Sequence, residues 1–393
     1  MGRSWGWPGG TGHRRRAGAV LSGALLVSAC TTGQPLLAEA PAVHPTPPPP
    51  TATATPVLPD PQPIVLPRDD GPHGRLTEWW YDTGHVVTAD GRHFGFEFVI
   101  FRAERGGFPV SWASHLALTD EAGGTFVYDQ RTAVGPQVDH PVAGGGFDLA
   151  LPALDASGAP LPGGQPWTMI GGGGHDRLTA ASEAAGFGLD LTLDAGGLPA
   201  LLHGQDGWVD FGPAGGSYYY SRPRLRVSGT LTLGGTALPV SGLAWFDHQW
   251  GDFIAVGGGW DWFAVDLDDG SALTLSLVRD VEGRQALAYG TLMQPDGTAV
   301  HLAAADFAVQ VLDHWTSPHT GALYPAGWRL TVPGRGLVIT LRPTVADQEL
   351  DTRASTGVIY WEGSQVVSAT RDGLPLGGQA YVELTGYASA ASR

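Results

Sequence analysis

Turn residues recur along this chain at the spacing of short β-strands, and that rhythm limits the possible folds. The clearest unit is Val86-Val87-Thr88-Ala89-Asp90-Gly91-Arg92-His93-Phe94-Gly95-Phe96-Glu97-Phe98-Val99-Ile100. Asp-Gly between alternating runs predicts a β-hairpin, with a type I′ turn holding two residues at positive φ. Phe94, Phe96, Phe98 and Ile100 share one face of the second strand, and His93, Gly95, Glu97 and Val99 the other. Leu225–Leu233 and Leu273–Leu277 alternate similarly, and further turns fall at Gly234-Gly235, Asp269-Gly270, Asp296-Gly297 and Asp372-Gly373. No long helical period stands out. The chain of 393 residues holds 59 Gly and 31 Pro, the two poorest helix formers. Helical bundles and coiled coils are excluded, a doubly wound α/β fold is disfavoured, and antiparallel β-sandwiches or barrels are predicted. An apolar content of 42% still supports a sizeable core.

A faint internal repeat suggests two related β-domains. Glu78-Trp79-Trp80-Tyr81, Asp90-Gly91 and a strand ending at Arg102 are echoed by Trp260-Asp261-Trp262-Phe263, Asp269-Gly270 and a strand ending at Arg279. The Gly/Pro-rich stretch 212–217 is the expected boundary, giving domains 67–216 and 217–393.

Residues 1–30 read as a lipoprotein signal peptide. Arg3 and Arg14–Arg16 are cationic, Ala17–Val27 is apolar but too short to span a bilayer, and Leu25-Leu26-Val27-Ser28-Ala29-Cys30 resembles a bacterial lipobox. Cys30 is the chain's one cysteine and the expected lipidation site. Residues 31–66 hold twelve Pro when Pro67 is counted with them and are expected to form a disordered, extended tether. The expected location is therefore the extracytoplasmic face of a bacterial membrane, periplasm or cell surface, with the membrane contacted through that anchor only.

Composition removes several functions. All 22 basic residues are Arg and the net charge is −16, so nucleic acid is not an expected partner. The absence of Lys removes Walker-type, Schiff-base and lysine-base chemistry. One cysteine cannot build a CxxC zinc or iron–sulfur site. There is no H-E-x-x-H or H-x-H, and no G-x-S-x-G outside the signal segment, where Gly2–Gly6 matches it by chance. Neither a metal nor a cofactor is expected.

What remains is aromatic and acidic. The densest stretch is Ala244-Trp245-Phe246-Asp247-His248-Gln249-Trp250-Gly251-Asp252, followed by Gly259-Trp260-Asp261-Trp262. On a strand, His248 and Trp250 share a face, as do Trp260 and Trp262, while Asp247 points away from His248. A buried Asp beside indoles suits a mostly apolar pocket in which a raised pKa makes a general acid. Equally, the Trp residues fill a core and Asp247 and Asp261 bond turn backbones. Glu78, Tyr81, His85, Glu97 and His115 form a second polar set. Glu97, Glu362 and Glu383 each sit in apolar strands, as solvent-facing groups or pocket acids. Tyr219, Tyr220, Arg222 and Arg224 cluster, with Arg222 expected in a structural ion pair.

Glu78-Trp79-Trp80-Tyr81-Asp82-Thr83-Gly84-His85, Ser217-Tyr218-Tyr219-Tyr220-Ser221-Arg222-Pro223, Trp245–Gly251, Gly259–Trp262, Tyr360-Trp361-Glu362-Gly363 and Glu383-Leu384-Thr385-Gly386-Tyr387 together resemble the carotenoid 1,2-hydratase/AttH-like family of lipocalin-like, secreted "hydrolases". The resemblance spans about residues 67–389. It implies two tandem lipocalin-like antiparallel β-barrels. In that family, carotenoid members add water to an isoprenoid double bond without a cofactor, and distant fungal relatives look like pericyclases. By motif it carries His248 and Trp250, with Asp247 and Asp261, as catalytic. Trp260, Trp262, Glu78, Tyr81, Glu97 and Tyr220 are the expected ligand-binding residues. The expected function is binding of a small apolar, isoprenoid- or lipid-like molecule, with acid–base hydration or a hydrolase-type reaction. A non-catalytic lipid carrier and a glycan binder are the alternatives.

Overall fold

The computed structural model describes residues 59–155, 157–253 and 258–388. The signal segment with Cys30, and the tether to residue 58, lie outside the described residues. The tether's last residues are not free: the Tyr218 hydroxyl lies 2.7 Å from the Gln62 backbone N, and Ile64 and Leu66 pack on the first core.

The described chain is all-β, with two large antiparallel sheets, each curled into a near-closed barrel. The first holds twelve strands between Thr77–Thr88 and Thr236–Gly251, and the second eleven between Trp260–Leu267 and Gly378–Thr385. The expected division at 216/217 is displaced. Gly216–Leu233 does begin there, but it pairs with Thr236–Gly251 and with Phe187–Asp194, so it completes the first sheet. The chain changes sheets between Gly251 and Trp260.

The hairpins form as the turn residues require, in two kinds. Gly234-Gly235 and Asp372-Gly373 each have both residues at positive φ, the type I′ pattern. At Asp90-Gly91 only the glycine does, at φ +84°. There Gly91 N bonds Thr88 O at 2.9 Å and Thr88 N bonds Arg92 O at 3.0 Å. This is a three-residue loop closed by a left-handed glycine, not the two-residue turn expected. Asp269-Gly270 and Asp296-Gly297 repeat it.

Strand alternation then sorts side chains onto two faces. Trp80, Phe94, Phe96, Phe98, Ile100, Phe246 and Trp250 fill the first barrel. Phe263, Val265, Trp328 and Trp361 fill the second. The opposite face of the same strands is also buried, because the sheets pack against each other. Tyr81, Val99 and Trp245 of the first meet Trp262, Ala264 and Tyr381 of the second. The two Trp-rich hairpins occupy matching places: Trp80 and Phe263 point into their barrels, Trp79 and Trp262 towards the facing sheet.

Candidate functional site

Between the sheets lies a cavity of about 100 Å³. Its walls are mostly aromatic: Trp79, Tyr81, Phe101, Phe211, Phe253, Trp260 and Trp262, with Tyr219, Tyr289 and Tyr360 adding hydroxyls. Three carboxyl groups, Glu97, Asp247 and Glu383, line the same space. Strand register assembles them. Across the first sheet Val99, Tyr81, Asp247 and Ser221 stand directly opposite one another in a row. Across the second, Glu362, Glu383, Trp262, Ser276 and Tyr289 do the same. Each row is one pleat face of adjacent strands.

The carboxyls are held differently. Asp247 accepts three hydrogen bonds: from the Tyr219 hydroxyl at 2.6 Å, from the Trp245 indole at 2.7 Å, and from Ser221. The Trp262 indole donates to Tyr219 at 3.0 Å, which turns that phenol towards Asp247. Burial pushes Asp247 up to about 6, while the Ser221, Tyr219 and Trp245 donors favour its anion. It is therefore largely ionised at neutral pH.

Glu97 has one partner, Tyr360, whose hydroxyl lies 2.7 Å from Oε1; Oε2 has no hydrogen bond within the described protein. Burial raises Glu97 to about 8, with the Glu383 charge adding to it. Burial likewise raises Glu383 to about 7 and takes Glu362 well above the carboxyl range. Both Glu362 oxygens and the Tyr81 hydroxyl are buried, with the Tyr81 phenol as the donor that favours the Glu362 anion. Among the described residues no arginine lines this cavity to neutralise the acids, so proton retention is their way to be buried. The chamber thus holds a neutral acid, Glu97, and an anion, Asp247. That is the division of labour a general acid and a general base need.

Not every expected site residue is here. Asp247, Trp260, Trp262, Tyr81 and Glu97 line the cavity. His248, Trp250, Glu78 and Tyr220 are on the opposite pleat face, inside the first barrel, where His248 packs on Trp80, Trp250 and Tyr220. The same backbone that brings Asp247 to the cavity sends His248 away from it. Glu78 is fully buried there and accepts from His73 N at 2.9 Å, lying 2.7 Å from His73 Nδ1 and 3.0 Å from His248 Nε2. Arg102 lies 3.9 Å away. Burial would raise Glu78, but the His248 and His73 bonds outweigh it and hold the group below its usual value. These three side chains offer ligand atoms within 4.8 Å of one another, yet Glu78 is already supplied with donors, and the cluster reads as a bonded core network. Asp261 lies in the second barrel, ion-paired with Arg279 and bonded by Tyr387 at 2.9 Å. Tyr220 donates to Asp70, and Arg222 pairs with Asp70 at 3.0 Å.

Residues that sequence reasoning did not place are Tyr219 and Trp245 on Asp247, Tyr360 on Glu97, and His203. Tyr360, Glu362 and Glu383 stood in recognisable motifs, but nothing local showed that they converge on Glu97. His203 carries no motif. Its Nε2 lies 2.6 Å from Ser221 Oγ and its Nδ1 lies 2.9 Å from Thr291 Oγ1. Ser221 donates to Asp247, is fully buried and does not line the cavity, so it is not placed as a nucleophile.

Comparison with solved structures places this architecture. An AttH-designated protein from Nitrosomonas europaea is 33% identical, with a TM-score of 0.71, over 85% of this chain and 99% of that one. Kievitone hydratase from Nectria haematococca shares the fold at 18% identity and a TM-score of 0.61, over 82% of this chain and 93% of that one. CghA does so at 13% and 0.52, over 81% and 90%. No curated protein sequence matches. The AttH-like family profile matches residues 57–387, and with the Nitrosomonas relative covered almost from end to end, the chain belongs to the AttH-like family.

Proposed function

We propose that this protein catalyses a cofactor-free acid–base reaction, the addition of water to a carbon–carbon double bond or its reversal, on a small apolar ligand in the chamber between its sheets. The observation that carries this reading is the pairing of a protonated Glu97, with a bare Oε2, and an anionic Asp247 on one aromatic cavity. Glu97 Oε2–H protonates the alkene. The resulting cation is faced by the rings of Trp79, Trp260 and Trp262, each contributing about 0.5–2 kcal/mol. Water attacks the cation, and Asp247 takes the proton that water loses. The cavity is smaller than a drug-sized ligand site, which spans about 300–1,000 Å³, so it suits one ring or the end of an isoprenoid chain. The family's fold is shared with a protein called a hydratase, which agrees with this reading without carrying it.

In this proposal the body is exported and held at a bacterial membrane through a lipid on Cys30. The test is to incubate the protein with a panel of isoprenoids and prenylated phenols in heavy-oxygen water, then analyse by mass spectrometry. A product carrying one solvent oxygen, absent with Glu97→Gln and Asp247→Asn, is expected. Ligand retained without conversion, and with affinity unchanged in both variants, favours the carrier reading, for which the aromatic lining is the supporting observation.

A further inference from the structure

Behind Glu97, a line of hydrogen bonds leads away from the cavity. Glu97 Oε1 lies 2.7 Å from the Tyr360 hydroxyl, and that hydroxyl lies 2.7 Å from His115 Nδ1. His115 Nε2 lies 3.0 Å from Ser355 Oγ, which lies 2.7 Å from Gln130 Oε1. Glu97, Tyr360 and His115 are buried, whereas Ser355 is only half-buried. The line crosses between the sheets: Glu97 and His115 belong to the first, Tyr360 to the second, and Ser355 to the loop between Glu349–Asp351 and Ile359–Arg371 of the second.

We propose that Tyr360, His115 and Ser355 form a proton relay that reloads Glu97 from solvent at the Ser355 edge. The proposal rests on the reading of Glu97 as the acid. Each link works in both directions. In the loaded state Glu97 carries its proton on Oε2, facing the cavity. Oε1 accepts from Tyr360, the phenol oxygen accepts from His115 Nδ1–H, and Nε2 accepts from the Ser355 hydroxyl once its proton turns from Gln130 Oε1 to the ring. Once Oε2 has given its proton to substrate, Oε1 takes the Tyr360 proton. The phenolate oxygen takes the Nδ1 proton, Nε2 takes the Ser355 proton, and Ser355 takes one from a solvent acid. One proton has left through the cavity and one has come in from outside. Tyr360 and His115 are neutral before and after; the new proton sits on Oε1 and the His115 proton on Nε2, so a turn of the carboxyl to the cavity and a change of tautomer complete each cycle. Burial pushes His115 down to about 3, so the ring passes a proton on without storing one.

A relay solves a concrete problem. With ligand or product in the chamber, Glu97 Oε2 is cut off from water, and the back of the carboxyl is the remaining side. The line behind Asp247, through Ser221, His203 and Thr291, ends at a fully buried threonine and does not offer the same exit.

The test needs no substrate: benzene, which fills apolar cavities, is added to close the cavity side of Glu97. The protonated Glu97 carboxyl gives an infrared C=O band, identified by its loss in Glu97→Gln. On rapid mixing of the full chain into D2O, that band shifts as the proton exchanges. His115→Phe is expected to slow the exchange about tenfold or more, with Ser355→Ala slowing it less. His115→Gln keeps a bond to Tyr360 but passes protons poorly, and it carries the test should the phenylalanine variant not fold. Equal exchange rates in the wild type, His115→Gln and Ser355→Ala overturn the relay while leaving Glu97 as the acid. A wild type with no such band at neutral pH overturns the acid assignment itself, and the relay with it.

Discussion

Glu78 and Asp247 sit on paired strands, are both buried, and face opposite ways. Inside the first barrel, Glu78 is met by His73, His248 and Arg102. In the chamber, Glu97 and Glu383 stand among aromatic rings, with Glu362 buried close enough for the three charges to raise one another. Desolvation acts on both clusters, and the partners decide the outcome: one carboxyl pulled below its usual value, the others pushed above it. The lesson is that burial alone does not mark a chemical site here. What distinguishes the chamber is carboxyl groups without cations beside open space.

The largest expected effect breaks this contrast from the chamber side. Asp247→Asn or Glu97→Gln should lower product formation by about 10²–10⁴-fold, measured by initial rates, while leaving the melting temperature near the wild type. Next, Glu78→Gln should destabilise the fold by about 3–5 kcal/mol, since it breaks a buried ion-paired network, as read by denaturant unfolding. If Glu78→Gln kept full stability, or if Asp247→Asn unfolded the protein, the assignment of the two faces would be reversed.

The pH dependence of stability sharpens the same comparison. Glu97 at about 8 and Glu383 at about 7 keep protons that the unfolded chain releases near its usual carboxyl value of about 4.3. The folded state therefore binds more protons over that window, and stability falls as pH rises from about 5 to 9. Glu97→Gln should flatten that decline. Glu78 has the opposite sign: its folded value is lowered, so its contribution is present above the usual value and lost as pH falls through the folded one. Glu78→Gln should lower stability at neutral pH and flatten the acid limb, leaving the slope from about 5 to 9 unchanged. Melting curves across pH check both. The smallest effect touches neither cluster. Gly91 has φ +84° with open space around its Cα, so Gly91→Ala should cost about 1–2 kcal/mol from backbone strain alone, with the chamber chemistry intact.

Local signals in the sequence resolve the hairpins well. Asp90-Gly91, Gly234-Gly235 and Asp372-Gly373 turn where they should, and the alternation of Phe94, Phe96, Phe98 and Ile100 marks a true core face. Which face of Trp245–Trp250 lines the cavity was not legible. Trp245, Asp247 and Gln249 alternate with Phe246, His248 and Trp250, and both sets are buried, so no hydrophobic contrast separates them. The sheet boundary was misplaced for a related reason. Gly216–Leu233 is chosen by its pairing with Phe187–Asp194, which a Gly/Pro-rich stretch before it does not reveal. Glu97 and Tyr360 are 263 residues apart, and only the packing of the sheets brings that acid and its phenol together.

The central claim is that two carboxyls on one cavity hold different protonation states at neutral pH. Carbon-13 NMR of labelled side-chain carboxyls, assigned with Glu97→Gln and Asp247→Asn, measures it directly. The account predicts that Asp247 titrates near 6 and Glu97 near 8. Both groups titrating together at the values of an exposed carboxyl, about 4, would contradict it.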